Sequence, residues 1–392
     1  MKQFTPSEKR RFWILVTIVS ISGFSQGMLL PLISIIFEQD GLSASLNGLN
    51  ATGLYIGTLL VSPFMEQPLR RFGYKPIIMI GGILVFMSLL LFPLWKSVIF
   101  WFVLRLFIGV GDHLLHFSTQ TWITSFSSKD RLGRNIALYG LSFGIGFAAG
   151  PLFVPLINVF EGLPFIVSGV LCLSAWSLVF FLDNDFPGHM HETSTMRGTW
   201  ARFGATIGFA WVAFIPPFSY GFLESSLHAI FPVYALRNQL DVGSVSIILA
   251  AFSTGGILSQ LPLGALSDRI GRKKVVLFSL FGGAFSFSAA AVLENNSFAL
   301  IATFLIAGLF VGSTFSLGIS YMADLTPKAL LPSGNLLCGI FFSIGSLTGP
   351  FMGGVFLEFF NQFSFLWLIS FVLFVFSLIS LITPKKQQIL SS

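Results

Sequence analysis

Charge is what this sequence lacks most. Of 392 residues, 10% are Asp, Glu, Lys or Arg and 54% are apolar, whereas a soluble domain carries about 25% charged residues. So few ions cannot coat a water-facing surface, which excludes an ordinary soluble fold. Cysteine is nearly absent. Cys172 and Cys338 are the two, each inside an apolar run and in different halves, so a disulfide framework is excluded and both read as small buried hydrophobes. His189-x-His191 has no Cys or further His nearby to complete a metal site and reads as solvated linker, so no metal is expected. The chain has no Walker A loop and no dinucleotide fingerprint, so ATP is not expected to power it and no cofactor is implied. No hydrolase spacing falls in a water-facing domain, and the chain does not read as an enzyme.

What the sequence has in abundance is long apolar runs, with a mean hydropathy of +0.84. Many reach 20 residues, the length a helix needs to cross about 30 Å of hydrocarbon. Alternating segments of about ten residues, the mark of a membrane β-barrel, are missing. The runs predict an all-α membrane protein of twelve transmembrane helices, at 12–37, 45–65, 76–95, 98–126, 135–158, 163–182, 204–236, 242–263, 273–293, 297–322, 333–357 and 362–383. The basic N-terminal cluster before the first run resembles a signal peptide. That run is about 26 residues with no A-x-A site after it, beyond the usual 7–15 of an h-region, so it reads as a retained first helix.

The net charge of +6 raises the question of nucleic acid, and the positions of the cations answer it. Nineteen of the 22 Lys and Arg residues fall at the N-terminus, in the even-numbered connections and in the tail. Lys96 and Arg237 lie on the other side, and Arg105 alone is inside a span. Such asymmetry over short loops orients membrane proteins, so both termini are expected in the cytoplasm of a bacterial-type plasma membrane. The basicity is a topological signal, and no nucleic-acid partner is implied.

The chain repeats itself. Gly146-x-x-x-Gly150-Pro151 recurs as Gly345-x-x-x-Gly349-Pro350, 199 positions later. The loop at 70–75 aligns with Asp268-Arg269-Ile270-Gly271-Arg272-Lys273 at an offset of 198, and Pro31 with Pro232 at 201. Three independent landmarks holding one register predict two pseudo-symmetric six-helix bundles, 1–183 and 203–392, joined by a polar cytoplasmic linker at 184–202. Parallel six-helix repeats with substrate bound near the midplane are a transporter architecture.

At this point the residues resemble the major facilitator superfamily. Gly264-Ala-Leu-Ser-Asp268-Arg269-Ile-Gly271-Arg272-Lys-Lys is similar to that family's signature loop. Arg105-x-x-x-Gly109-x-Gly111 is similar to its second motif. The two Gly-Pro segments look like those of its drug:proton antiporters, the later one fuller, ending Gly353-Gly354. The resemblance implies the major facilitator fold. It further implies that Gly264, Asp268, Arg269, Gly271 and Arg272 act in gating, the Asp by holding a cytoplasmic gate closed through charge pairs. The first-half copy departs from the pattern, with Glu66 for the leading Gly and Arg70 for the Asp. The latch is therefore expected at Asp268. Independently, Gly at four-residue spacing allows close helix approach, and Pro151 and Pro350 each remove a backbone hydrogen bond. The segments around Gly146, Gly150, Gly345 and Gly349 are thus expected to be packed, flexing elements.

Ionisable residues inside spans cost at least about 2.5–3.5 kcal/mol each on insertion scales and mark function. Those away from span ends are Arg105, Asp112, His113, His116, Glu224 and His228. At about 100° per residue, Arg105, Asp112 and His116 fall within about 20° of one line, extended by Thr119 and Gln120. Glu224 and His228, four apart, share a face between Pro216-Pro217 and Pro232, where a broken helix is expected. Asp112, Glu224, Arg105 and His116 are assigned to proton coupling. Gln26, His113, Gln120, Tyr220 and His228 are assigned to a substrate cavity, with Met28, Tyr55, Trp122, Phe143 and Tyr321 as further lining candidates.

The reading that follows is proton-coupled efflux, by antiport and alternating access, of a small organic, amphiphilic compound. The partners are protons, the substrate and the bilayer, and the default state is a monomer. Proton-coupled uptake of a metabolite uses the same fold and groups, as does flipping of a lipid or lipid precursor. The direction of movement under a pH gradient and activity on labelled lipid separate these. A non-transporting sensor is disfavoured by the lack of a soluble signalling domain.

Overall fold

The computed structural model describes residues 6–127, 129–187, 196–327, 330–360 and 362–382. Among them are helices and their connections, with no strand. Hydrocarbon offers no partner for a backbone N–H or C=O, so a lone spanning segment must satisfy both within itself as a helix. The α-helices are α1 (Pro6–Gln39), α2 (Ala44–Val61), α3 (Glu66–Phe72), α4 (Tyr74–Leu91), α5 (Val98–Phe126), α6 (Lys129–Ala149), α7 (Leu163–Ser177) and α8 (Met196–Ala210). They continue with α9 (Ile215–Ala229), α10 (Phe231–Arg237), α11 (Val242–Ile270), α12 (Arg272–Val292), α13 (Ser297–Val311), α14 (Thr314–Leu325), α15 (Leu331–Phe359) and α16 (Phe365–Ser380).

By length and composition ten helical stretches can cross a membrane, and Phe365–Ser380 is an apolar but shorter one. Helix α2 completes the twelve. Its 18 residues are long enough, and Asn47, Asn50, Thr52 and Thr58 dilute its apolar character. Several spans are built from more than one helix. The expected span 204–236 is α8, a 3₁₀ turn at Trp211–Phe214, α9 and α10, with prolines at the starts of α9 and α10, where a missing N–H is harmless. The expected 297–322 divides into α13 and α14 at Gly312-Ser313. A Cβ on Gly312 would lie 2.1 Å from Gly256 Cα, and Ser313 Oγ sits 3.2 Å from Ser259 Oγ, so the break lets α11 approach. After α6 the chain turns 3₁₀ at Gly150–Asn158, beginning on the Gly-Pro pair, whereas Pro350 lies inside an unbroken α15.

Contacts divide the chain into two units, Met1–Ile36 with Asn50–His191 and Phe37–Leu49 with Glu192–Ser392. In unit 1 a core cluster gathers Phe12, Leu15 and Val19 of α1, Ile77 and Ile78 of α4, Trp122 of α5 and Tyr139 of α6. In unit 2 another joins Ala210, Phe214, Met322 and Cys338. Both cysteines are buried and free.

The repeated glycines do the same thing in each unit. A Cβ on Gly146 would lie 1.9 Å from the Ser20 carbonyl and one on Gly150 2.5 Å from Met28 N, so α6 and α1 touch backbone to backbone. A Cβ on Gly345 would lie 2.1 Å from the Phe218 carbonyl and one on Gly349 2.4 Å from that of Phe222, so α15 meets α9 likewise. Where no hydrophobic force separates lipid from helix, such close contact supplies the association.

Candidate functional site

Helix α5 carries the densest buried polar chemistry of unit 1. Asp112 is 4% exposed, and its Oδ1 accepts the Ser22 hydroxyl of α1 at 2.8 Å. Ser22 Oγ is also 3.1 Å from His116 Nε2, and His116 Nδ1 is 2.8 Å from the Tyr139 hydroxyl of α6. With Asp112 ionised, one assignment of the protons satisfies every bond in the line. Ser22 has one hydrogen and gives it to Asp112, so His116 Nε2–H donates to Ser22 and Nδ1 accepts from Tyr139. The four groups form one hydrogen-bonded line across three helices. It can run in the opposite sense as well. A protonated Asp112 would donate to Ser22, Ser22 to Nε2, Nδ1–H to Tyr139, and Tyr139 to the His116 carbonyl, 3.2 Å away. A chain with an acceptor at its end in both senses can move a proton charge along its length.

The structure therefore joins Asp112 and His116, as their helical spacing suggests, and adds Ser22 and Tyr139. Gln26 flanks the Asp112 carboxyl group. Cys172, with Ser22, Leu115 and Trp176, lines a small apolar cavity beside it. His113 is half-buried and parallel to Phe117, 6.3 Å away, and Gln120 is exposed. Arg105 stands apart from the line. It is 0% exposed, Tyr55 flanks it, and none of its three side-chain nitrogens has a hydrogen-bond partner. Two helical turns, about 10 Å of rise, separate it from Asp112.

In unit 2 the Tyr220 hydroxyl donates to Glu224 Oε1 at 3.1 Å. Both side chains are half-buried, and Phe342 lies 6.2 Å from the Tyr220 ring. His228 is fully buried. Its Nδ1–H donates to the Glu224 backbone carbonyl at 2.8 Å, so the i, i+4 spacing joins this histidine to its neighbour's main chain. Tyr321 is buried against α8 and its 3₁₀ extension.

The signature loop of unit 2 forms a charge cluster. Gly271 closes α11 at φ +97°, and Arg272 opens α12. The Arg272 guanidinium meets Asp268 Oδ1 at 2.6 Å, Asp324 Oδ2 of α14 at 3.4 Å and the Ser267 hydroxyl at 2.6 Å. Arg269 is exposed, and nothing lies within 4 Å of a Cβ on Gly264. Unit 1 reaches the same end by other groups. Gly73 also takes positive φ, +82°. Lys75 Nζ donates to the Leu182 carbonyl at 2.6 Å, as Lys273 does to that of Leu381. Where unit 2 has Arg272 and Asp324, unit 1 has Tyr74 stacked on Trp122, centroids 5.3 Å apart. Asp185 then binds Arg11 at 3.0 Å and accepts the Tyr74 N–H on its backbone carbonyl.

Ser22, Tyr139, Asp185 and Asp324 escape sequence reasoning. A weak signal exists for the tyrosines. The chain has 47 Phe and 6 Tyr, so a hydroxyl placed among so many plain rings marks a wanted polar atom. His189 and His191 lie outside the described residues.

The family model described as the Major Facilitator Superfamily matches residues 15–198 and 203–390. The chain is 56% identical over 362 residues to an uncharacterized MFS-type transporter, YfkF, of Bacillus subtilis strain 168, covering 92% of each. It is 21% identical to multidrug resistance protein 2 of the same organism, over 99% of this chain and 98% of that one. Among solved structures, the nucleoside transporter NupG aligns at a TM-score of 0.79 with 14% identity, over 95% of this chain and 97% of that one. A bacterial homologue of the lysosomal transporter Spinster aligns at 0.74 with 14% identity, over 96% and 97%. Two repeats of helices built on matching glycine seams, and a family match running through both, make this chain a membrane transporter of the Major Facilitator Superfamily.

Proposed function

We propose that the protein exports a small amphiphilic organic compound in exchange for protons, by alternating access. The observation that carries the reading is the Asp112–Ser22–His116–Tyr139 line. It is a titratable chain inside a membrane-spanning unit whose hydrogen bonds can be satisfied in both senses. Structural fastening of helices needs no acid at one end and no reversible imidazole in the middle. Glu224 with Tyr220 supplies a second carboxyl group, in unit 2. The antiporter-type Gly-Pro segments support exchange over symport, and a relative of nearly equal length is a multidrug resistance protein. The proposed orientation places both termini in the cytoplasm. The proposed organisation is a 1–183 bundle, a 184–202 linker and a 203–392 bundle acting as a monomer, with Asp268 and Arg272 fastening the gate.

A resistance and exometabolite screen of deletion and overexpression strains identifies cargo. Purified protein in liposomes then shows cargo movement driven by an imposed pH gradient, with proton flux in the opposite direction. Asp112→Asn and Glu224→Gln are expected to abolish proton-driven movement while leaving cargo exchange at equal pH. Ser22→Ala and Tyr139→Phe should slow the driven process by about tenfold or more, the low end of what a positioned proton-transfer group contributes. Full proton-driven export by both carboxylate variants sinks the mechanism, and co-directional flux replaces export with uptake.

A further inference from the structure

We propose that Arg105 is the anchor for an oxyanion, a carboxylate or phosphate monoester, carried on an apolar organic body. The proposal deepens the transporter reading, naming the charge that the cargo presents to unit 1. Arg105 is fully buried, and Nε, Nη1 and Nη2 all lack a hydrogen-bond partner. A guanidinium holds its charge and offers five N–H donors. A buried, unpaired cation of this kind is strongly destabilising, and it persists where a function uses it.

The surroundings narrow what completes it. The mid-span acid of the same unit, Asp112, is two turns away and bonded to Ser22, and it makes no ion pair with Arg105. The nearby polar group, Tyr55, is a neutral phenol 7% exposed. Water would supply acceptors without neutralising the charge, whereas an oxyanion does both, matching the planar fork with two parallel bonds. On α5, Trp101 one turn before, the adjacent Leu104 and Ile108 one turn after are buried and apolar, at 1%, 3% and 0% exposure. A free, strongly hydrated dianion gains nothing from such walls, while the ring or chain of an amphiphile does. Helices α2 and α5 meet backbone to backbone here. A Cβ on Gly109 would lie 1.9 Å from the Leu54 carbonyl, and one on Gly57 2.2 Å from that of Leu106. Arg105 thus sits on a seam whose separation two glycines set.

The test is ligand-dependent thermal unfolding of the full chain in an uncharged detergent. The probes are benzoate, phenyl phosphate, inorganic phosphate and neutral benzamide, each at ionic strength matched with potassium chloride. Saturable stabilisation by benzoate or phenyl phosphate, and none by benzamide, is expected. Arg105→Gln should raise the half-saturating concentration by about 10- to 100-fold, the equivalent of a lost charge-assisted bond. Arg105→Lys, which keeps the charge without the fork, should raise it by about tenfold. Inorganic phosphate matching phenyl phosphate overturns the organic body. No anion-dependent shift in the wild type, or the same half-saturation in whichever Arg105 variant purifies, overturns the site. No proton gradient is present, so this outcome is independent of whether Asp112 couples protons.

Discussion

At the scale of single residues, this protein uses polar atoms sparingly and places each one. Tyr139 completes the line from Asp112, Tyr220 holds Glu224, and Tyr234 bonds Glu294 and Ser364. The helical period put Asp112 and His116 on one face from the sequence alone, because that offset is a property of one helix. Ser22 and Tyr139 come from helices about 90 and 23 residues away from them, and no local pattern relates them. Outside the spans, Asp241 shows how such an atom acts at an end. Its carboxylate caps α11, accepting the hydroxyl and the backbone N–H of Ser244, and these bonds hold its pKa below the usual carboxylate range. A lowered pKa contributes stability that is complete above the unfolded carboxylate value and fades as pH falls through the folded one. Asp241→Ala should therefore lower stability by about 0.5–2 kcal/mol near neutral pH, with the gap narrowing below about pH 4. Thermal unfolding at pH 7 and pH 3 reads this directly. A gap that is constant with pH assigns the stabilisation to something other than the charge.

At the scale of elements, glycine spacing is the physical link between sequence repeat and packing. Gly345 and Gly339 lie on the same helix, α15, and make a controlled pair. A methyl group on Gly345 collides with the α9 backbone, whereas nothing lies within 4 Å of one on Gly339. Gly345→Ala is expected to destabilise by about 1–3 kcal/mol through overpacking. Gly339→Ala is expected to be neutral or stabilising by up to about 1 kcal/mol through helix propensity. Melting temperatures of the two purified variants decide the matter, and equal effects would remove the seam from the account. The same seams explain where helices break. Pro216 and Pro232 were legible as interruptions, but the break at Gly312-Ser313 depends on the approach of α11, which only packing reveals.

At the scale of the whole molecule, the uneven distribution of cations is the ground for the proposed orientation, with both termini in the cytoplasm. The two cations assigned to the sparse side are both paired, Lys96 with Glu161 at 2.9 Å and Arg237 with Glu38 at 2.7 Å. Because Cys172 and Cys338 are buried, introduced cysteines report topology over a low background. Lys96→Cys should react with a membrane-impermeant maleimide on intact cells, and Arg71→Cys only after lysis. The reverse pattern would invert the proposed orientation.

Amino-acid order alone settles that this is a twelve-span helical transporter in two related halves. Hydropathy, cation asymmetry and glycine register act over short stretches of chain, and a membrane leaves helices few alternatives. Folding decides how the buried charges are used. The sequence aligns Arg105, Asp112 and His116 as a single stripe, but the structure binds two of them into a line with α1 and α6 and leaves the third without a partner. It also shows that unit 1, without an Asp in its signature loop, fastens the same ends with an aromatic stack and Asp185. Both outcomes depend on which helices come to lie side by side, a long-range choice that no stretch of sequence records.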